Sequence, residues 1–256
     1  MNCSQDVIIT LVPKGSYVRS VYLDTQTGIC STDISKKLLI DRATIDTATS
    51  LTVKDHIAKH FPSVLFYDVP VSSGVIGALK GTIAIFLGCS DSDPNLPRLS
   101  HLLQMMGKSI IPCGGPSLGI AAELSNNYLS GIIAIATSEA FDMGMRSGLD
   151  PRVLAKVYAA GTAQNTISDR FTPVPGVHPE ASYSNRYKNG FKVQLMRKDF
   201  GLAVAMARRV GSRNVLGDVG LETYTAASND PRFRDLDSRV VYRYLGGNED
   251  WMSKSR

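Results

Sequence analysis

Two short segments of the sequence carry residue types that can perform chemistry on a small molecule. One of them places Ser72, Ser73 and Gly74 shortly after a predicted strand that ends at Asp68. Small residues at such a position let a carboxylate approach backbone N–H groups closely. The segment therefore predicts a loop that holds an acidic substrate group, and an ordinary strand-to-turn connection is the alternative.

The other segment is a predicted helix that carries an acid and an amide on one face. Glu123 and Asn127 are four residues apart, so both side chains project from the same side of the helix. A carboxyl group can exchange a proton, and an amide can only orient a neighbouring group by hydrogen bonds. A fold that uses both segments must bring the serine loop and this helix to one crevice.

The first part of the chain alternates strand and helix patterns. Because short apolar runs are followed by stretches with helix caps and helical periodicity, the pattern predicts a mostly parallel sheet covered by helices. The predicted strands are Val7–Val12, Leu38–Asp41, Val64–Asp68, Thr82–Leu87 and Ser109–Pro112. The predicted helices are Ser16–Tyr22, one that Asp46 or Thr47 caps and that reaches about His60, and Leu96–Met106.

The second part has a helical pattern almost throughout. From Ser117 to about Ser147 apolar and small residues recur at helical spacing, and Pro151 suits the first turn of a following helix. Further helices are predicted over residues 194–210, 216–228 and 237–245, with a loop over 171–189. The predicted fold class is therefore α/β followed by all-α, with domains at residues 1–115 and 116–256.

Composition restricts the partners. The net charge is +5, but basic residues are spread along the chain and aromatic residues make up only 7%. We therefore expect no nucleic-acid partner and favour a small anionic ligand such as a dinucleotide or a carboxylate. The longest strongly apolar run, near residues 131–136, is far shorter than the roughly 18 to 20 residues that cross a bilayer, so we expect no membrane partner and a cytoplasmic location.

Cysteines and histidines show no metal-ligand pattern. His56 and His60 share one helix face, but no acid of an HExxH motif lies between them. The cysteines form no CxxC pair and are predicted to be reduced and mostly buried. We predict no metal site. The cysteines are Cys3, Cys30, Cys89 and Cys113.

Several motifs together resemble the 3-hydroxyisobutyrate dehydrogenase family, within the 6-phosphogluconate dehydrogenase-like β-hydroxyacid dehydrogenases. The resemblance implies an NAD(P)-dependent oxidoreductase that acts on a small hydroxy acid or a related carbonyl or imine. It also implies an incomplete Rossmann-type sheet, a C-terminal helical domain, NAD or NADP as cofactor and a homo-oligomer. The motifs are Ile9–Pro13, Ile40–Asp46, Asp68–Gly74, Gly148–Pro151, Pro173–Gly176 and Lys198–Ala203.

One part of the family pattern is absent from the sequence. No Gly-x-Gly-x-x-Gly turn precedes the first helix, and the strand Val7–Val12 resembles the family's fourth strand. The resemblance therefore implies an N-terminal truncation of about 60 residues, the length of two βαβ crossovers. Without the backbone N–H groups of that turn, a dinucleotide loses its principal diphosphate site.

The resemblance also implies roles for individual residues. The serine loop would grip the acid group of the substrate, although a glycine is usual where Ser73 stands. The cofactor cleft would be lined by strand-end residues and by a lysine of the helical domain, with strand packing and a solvated Lys–Asp pair as the alternatives. These cofactor residues are Leu11, Pro13, Thr44 and Lys198.

Glu123 departs from the family. Relatives have a lysine at this position, whose ammonium polarises the substrate oxygen and handles its proton while the asparagine at Asn127 orients it. A carboxylate cannot supply that positive charge and would repel a substrate carboxylate. One hypothesis is that Glu123 is buried and protonated and acts as an acid on a carbonyl, an imine or a substrate without a carboxylate. The other is a non-catalytic relative that keeps its helical domain for dimerisation.

Overall fold

The computed structural model describes residues 6–72, 74–179 and 181–254. The chain forms two compact units, residues 1–125 and 126–256. The first is built of strands and helices and the second of helices. We call them the α/β unit and the helical unit.

A three-stranded parallel sheet forms the first half of the α/β unit. Its strands are β1 (Val7–Thr10), β2 (Leu38–Asp41) and β3 (Leu65–Asp68), in that order. All four residues of β2 are buried, as expected for a central strand with neighbours on both sides. Helices α1 (Gly15–Leu23) and α2 (Thr47–His60) connect the strands. Parallel pairing requires such crossovers, so this half of the prediction is confirmed.

The second half of the unit is a separate three-stranded sheet. It contains β4 (Val71–Ser72), β5 (Ile83–Leu87) and β6 (Gly107–Pro112), with β5 and β6 parallel. Strand β4 runs antiparallel to β5, where the sequence predicts a loop. Two residues are too short to produce an alternating pattern, so only the pairing with β5 reveals the strand. The helices here are α3 (Gly74–Leu79) and α4 (Leu96–Leu103).

The helical unit follows the predicted order with one addition. Helix α5 (Leu118–Arg146) starts in the α/β unit and continues into the helical unit. The short helix α7 (Thr166–Arg170) was not predicted, because five residues within a polar stretch carry little periodicity. Asn165 and Ser168 form a capping box at its start. The remaining helices are α6 (Pro151–Ala160), α7 (Thr166–Arg170), α8 (Val193–Arg209), α9 (Gly217–Asn229) and α10 (Val241–Tyr244).

Aromatic side chains fill the core of the helical unit. Phe200 of α8 lies between Tyr128 and Tyr224, with ring centroids 5.0 and 5.6 Å away. Gly220 of α9 makes this packing possible, because a Cβ atom there would lie 2.6 Å from Phe200 Cζ. Buried tyrosine hydroxyls donate to backbone carbonyls, for example from Tyr224 to Gly131 at 2.8 Å. The core is therefore apolar but leaves these hydroxyl groups hydrogen-bonded.

Two further predictions concern thiols and membranes. Cys30, Cys89 and Cys113 are free thiols, but only Cys89 is buried, and Cys3 lies outside the described residues. Cys30 lies in a 3₁₀ turn and Cys113 directly follows β6, and both are half-buried. In the described part of the chain, no helix has the length and apolar character needed to cross a bilayer.

Candidate active site

Three polar residues end the three strands of the first sheet side by side. The strand register aligns Thr10 of β1 with Asp41 of β2, and Asp41 with Asp68 of β3. All three are buried. Ligands of parallel α/β sheets bind beyond the carboxyl ends of the strands, so this edge is the first place to expect a site.

Asp68 fixes the start of the long helix α5 at this edge. Its carboxylate accepts hydrogen bonds from the backbone N–H groups of Ser117, at 2.8 Å, and Ile120, at 3.1 Å. Burial raises the pKa of Asp68, whereas these backbone donors lower it. Gly119 permits the approach, because a Cβ atom there would lie 2.7 Å from the Phe86 carbonyl oxygen. Helix α5 therefore begins directly above the strand ends.

This placement brings Glu123 to Thr44. The Thr44 hydroxyl donates to Glu123 Oε1 at 2.8 Å. Glu123 lies on the second turn of α5, and only 3% of its surface is exposed. Two residues that are 79 positions apart in the sequence thus form one hydrogen-bonded pair at the sheet edge. A carboxyl group and a hydroxyl group in this arrangement can hold and pass a proton.

Asp41, at the end of β2, is a further buried carboxyl group at this sheet edge. Asp41 Oδ1 accepts from the Thr10 hydroxyl at 2.8 Å, and Thr10 Oγ1 lies 2.7 Å from the Tyr22 hydroxyl. Since Thr10 has a single proton and gives it to Asp41, Tyr22 must donate to Thr10. Burial raises the pKa of Asp41 to about 6, and its Oδ2 atom has no hydrogen-bond partner among the described residues. Asp41 is thus a buried acid that titrates near neutrality.

Leu11 and Pro13 follow β1 at the same edge. Both are exposed, and 67% of Leu11 is open to solvent although the residue is large and apolar. Thr44, which follows β2 at this edge, is half-buried. An apolar side chain and a hydroxyl group are the residue types that a flat, partly polar ring such as nicotinamide would need. The 256 residues contain no Gly-x-Gly-x-x-Gly turn for the diphosphate.

The helical unit groups two other predicted site residues around a buried aspartate. Asn127 Nδ2 donates to Asp199 Oδ2 at 3.3 Å, and Lys198 Nζ lies 3.0 Å from Asp199 Oδ1. Burial raises the pKa of Asp199, and the charge of Lys198 lowers it. Asp199 thus orients both the amide and the ammonium. Lys198 is half-buried in this ion pair, rather than freely solvated.

The serine segment is arranged differently from the predicted loop. Ser72 lies in β4, opposite Ala84 of β5, and Gly74 is the first residue of α3 with a φ of +59°. Ser73 lies outside the described residues. Gly74 adopts a left-handed conformation that favours glycine, which explains the residue type at this position.

Sequence reasoning missed the structural role of two aspartates. Asp41 and Asp68 each end a strand. The sequence patterns identify them only as strand ends and members of motifs and give them no structural role. An acid directly after an apolar strand was the available signal, because such a residue is buried at the sheet edge and needs donors there. Asp199 was predicted as a neighbour of Lys198, but not as the residue that joins it to Asn127.

Two family models match consecutive parts of the chain. Residues 1–115 match the NAD binding domain of 6-phosphogluconate dehydrogenase. Residues 118–245 match the NAD-binding domain of NADP-dependent 3-hydroxyisobutyrate dehydrogenase. Together with the parallel strands and the helical unit, these matches define an NAD-binding oxidoreductase, and the predicted cofactor, NAD or NADP, is confirmed.

Individual relatives agree with this class. A probable mitochondrial 3-hydroxyisobutyrate dehydrogenase of Dictyostelium discoideum is 38% identical over 95% of this chain and 74% of its own length. The enzyme of that name from Pseudomonas aeruginosa is 35% identical over 95% of this chain and 80% of its own. The solved structure of the Mycobacterium tuberculosis 3-hydroxyisobutyrate dehydrogenase with L-serine aligns with a TM-score of 0.84 at 33% identity, covering 94% of this chain and 80% of the other. The chain belongs to the 3-hydroxyisobutyrate dehydrogenase family, as the motifs predicted, and the predicted fold class is confirmed.

Proposed function

We propose that the chain is an NAD(P)-dependent oxidoreductase that acts on small alcohols, carbonyls or imines without a carboxylate. The hydrogen bond between Thr44 and the buried Glu123 at the carboxyl edge of the parallel sheet is the observation that carries the proposal. It supports an acid–base role for a group that stands where the family resemblance implies a lysine.

A nicotinamide held at this edge would supply the site that accepts or delivers hydride. Leu11, Pro13 and Thr44 would line its cleft at the strand ends. When an alcohol is oxidised, the Glu123 carboxylate takes the hydroxyl proton, and when a carbonyl or imine is reduced, Glu123 returns a proton to the oxygen or nitrogen. Thr44 holds Glu123 Oε1 in place during both directions.

Charge at position 123 determines the substrate class in this proposal. Two unit charges of the same sign at about 4 Å repel by about 1 kcal/mol in water and by about 4 kcal/mol at an effective dielectric constant near 20. Because only 3% of Glu123 is exposed, repulsion of a substrate carboxylate lies toward the larger value. A neutral alcohol or a cationic iminium avoids this cost. L-Serine, which is present with the M. tuberculosis relative, carries an ammonium beside its carboxylate and is an intermediate case.

The test compares two molecules that differ only in the disputed group. 2-Methyl-1,3-propanediol replaces the carboxylate of 3-hydroxyisobutyrate by a neutral CH₂OH group. We expect the wild-type chain to have the higher kcat/KM for the diol, and Glu123→Lys to shift the ratio toward the hydroxy acid by roughly tenfold to a thousandfold. Initial rates of NAD(P)H formation measure both. If Glu123→Lys left the ratio of the two kcat/KM values unchanged, residue 123 would not contact the substrate.

Thr44→Val is the matched control for the hydrogen bond. It keeps the shape of the side chain and removes only the donor to Glu123. We expect a lower kcat with an unchanged preference for the diol, since the charge remains. If Thr44→Val instead reverses the preference, charge at Glu123 is not what selects the substrate.

The second candidate is a homodimeric interaction module without catalysis. The helical unit exposes large apolar side chains on α5 and α6, including Leu129, Met143, Val153 and Val157. Apolar side chains on helix faces favour self-association. Sedimentation equilibrium tests this candidate: a dimer that dissociates in Leu129→Glu or Val157→Glu, in a chain with no turnover on either substrate, would support it over the enzyme.

A further inference from the structure

Two histidines outside the candidate site form a pair on the surface of α2. His56 and His60 are four residues apart on this helix, and their ring centroids are 4.5 Å apart with planes inclined by 39°. His60 is exposed and His56 is half-buried. Both rings are therefore open to an ion from solvent and already lie beside one another.

The sequence pattern predicts no metal site, but from the proximity of the two rings we propose that His56 and His60 form a two-histidine site for a divalent transition-metal ion such as Cu²⁺, Ni²⁺ or Zn²⁺. Imidazole nitrogens bind these ions at about 2.0–2.1 Å, which places two ligands of one ion roughly 3 Å apart. With ring centroids 4.5 Å apart, both rings lie within reach of one ion, which they can bind when each side chain turns a nitrogen toward it. Water completes the coordination, since no group of three or more metal-binding side chains occurs in the described part of the chain.

The backbone that carries both histidines is fixed at the end of α2. The Phe61 N–H donates to the Ile57 carbonyl at 2.7 Å and closes the last helical turn, which contains His60 and directly follows His56. Each neutral imidazole ring offers one nitrogen lone pair to an ion.

The type of metal follows from the ligands. Two nitrogen donors with open positions suit Cu²⁺ best, followed by Ni²⁺ and Zn²⁺, whereas Mg²⁺ and Ca²⁺ prefer oxygen. We therefore expect this order of affinity at the pair. Such a site would not take part in hydride transfer, so it goes beyond the proposed oxidoreductase activity.

Isothermal titration with Ni²⁺ tests the proposal on the full chain without an added histidine tag. We expect His56→Ala and His60→Ala each to weaken one Ni²⁺ site at least about tenfold, because a chelate becomes a single contact. His101→Ala should bind like the wild type. All variants keep the same cysteines, so binding to thiols cancels in the comparison.

A variant that moves one histidine along the helix tests whether binding depends on the spacing of the two histidines or only on their number. The double substitution Ala58→His with His60→Ala keeps the number of histidines but places them two residues apart, where they do not face each other. We expect it to bind as weakly as His60→Ala. Wild-type Ni²⁺ affinity in His60→Ala or in the double substitution, or an equal loss of affinity in His101→Ala, would overturn the proposal. Circular dichroism checks that each variant is folded.

Discussion

The two units bury different kinds of polar group. The α/β unit buries carboxyl groups at the ends of its strands and on the adjoining helix turn, namely Asp41, Asp68 and Glu123. The core of the helical unit buries mainly neutral hydroxyls, such as those of Tyr187 and Tyr224, and both of these donate to a backbone carbonyl. Among the described residues this unit also buries the acids Asp199 and Asp237, and predicted site residues surround Asp199.

The buried carboxyl groups and the buried tyrosine hydroxyls have opposite effects on stability. A buried carboxyl costs free energy unless it is paired or protonated, so clusters of such groups mark places where the fold sacrifices stability. A buried tyrosine with its hydroxyl bonded adds apolar contact without that cost. We therefore propose the sheet edge as the reactive part of the molecule, whereas the aromatic core of the helical unit holds its own helices together.

The largest expected effect concerns the aromatic core. Phe200→Ala removes a fully buried ring that packs between two tyrosines, and we expect the free energy of unfolding to fall by about 3–5 kcal/mol. Leu195→Ala on the same helix is the control, because Leu195 is exposed and should cost less than about 1 kcal/mol. Urea denaturation measures both. Equal losses would mean that the core is not centred on Phe200.

An intermediate effect concerns Asp41 and has a definite pH dependence. Burial raises the pKa of Asp41 to about 6 from the ordinary value of 3.8, so the folded protein prefers the protonated form. Its contribution to stability is present below about pH 4 and is lost as the pH rises through 6. The gap corresponds to roughly 3 kcal/mol. We expect Asp41→Asn, which stays neutral, to gain stability relative to the wild type by an amount of this order between pH 4 and 7.

Denaturation curves at several pH values measure this gain. The amide oxygen of the substituted side chain can still accept from Thr10, so Asp41→Asn tests charge rather than the hydrogen bond. A difference between the two proteins that is constant from pH 4 to 7 would contradict the raised pKa of Asp41.

The smallest effect belongs to the tyrosine hydroxyls. Tyr224→Phe removes the hydrogen bond to the Gly131 carbonyl and nothing else, and we expect a loss of about 1 kcal/mol. Because burial raises the pKa of Tyr224, the hydroxyl stays neutral at physiological pH. The loss should be the same at pH 5 and pH 8. If the loss of unfolding free energy in Tyr224→Phe depended on pH, the helical core would not differ from the sheet edge in the way proposed.

Local patterns predicted most of the elements. Helix α2 begins after Asp46 and ends at His60 as the cap and the periodicity indicated, and α6 begins at Pro151. Strand β4 and helix α7 were not predicted, because each is too short for a period and depends on contacts elsewhere. Pattern reasoning finds elements that are long or capped, and misses those that only tertiary pairing creates.

The site was predictable in its residue types but not in its pairings. The sequence indicated Thr44 and Glu123 separately, whereas their hydrogen bond depends on where Asp68 fixes the start of α5. It likewise indicated Asn127 and Lys198, but not that the buried Asp199 joins them. The pairs Thr44–Glu123 and Asn127–Asp199 join residues far apart in the chain, and a single sequence carries no signal for them. The assignment of Ser72, Ser73 and Gly74 to the substrate remains a prediction.

Fluorescence titration with NADH and NADPH tests the central claim most directly. We expect saturable binding of at least one of them below roughly 1 mM, which corresponds to about −4 kcal/mol. Leu11→Asp should weaken it, because Leu11 is an exposed apolar side chain at the proposed nicotinamide cleft, and a carboxylate there would have to be desolvated against the ring. Absence of saturation with both cofactors, or equal affinity in Leu11→Asp, would contradict a nicotinamide site at this sheet edge.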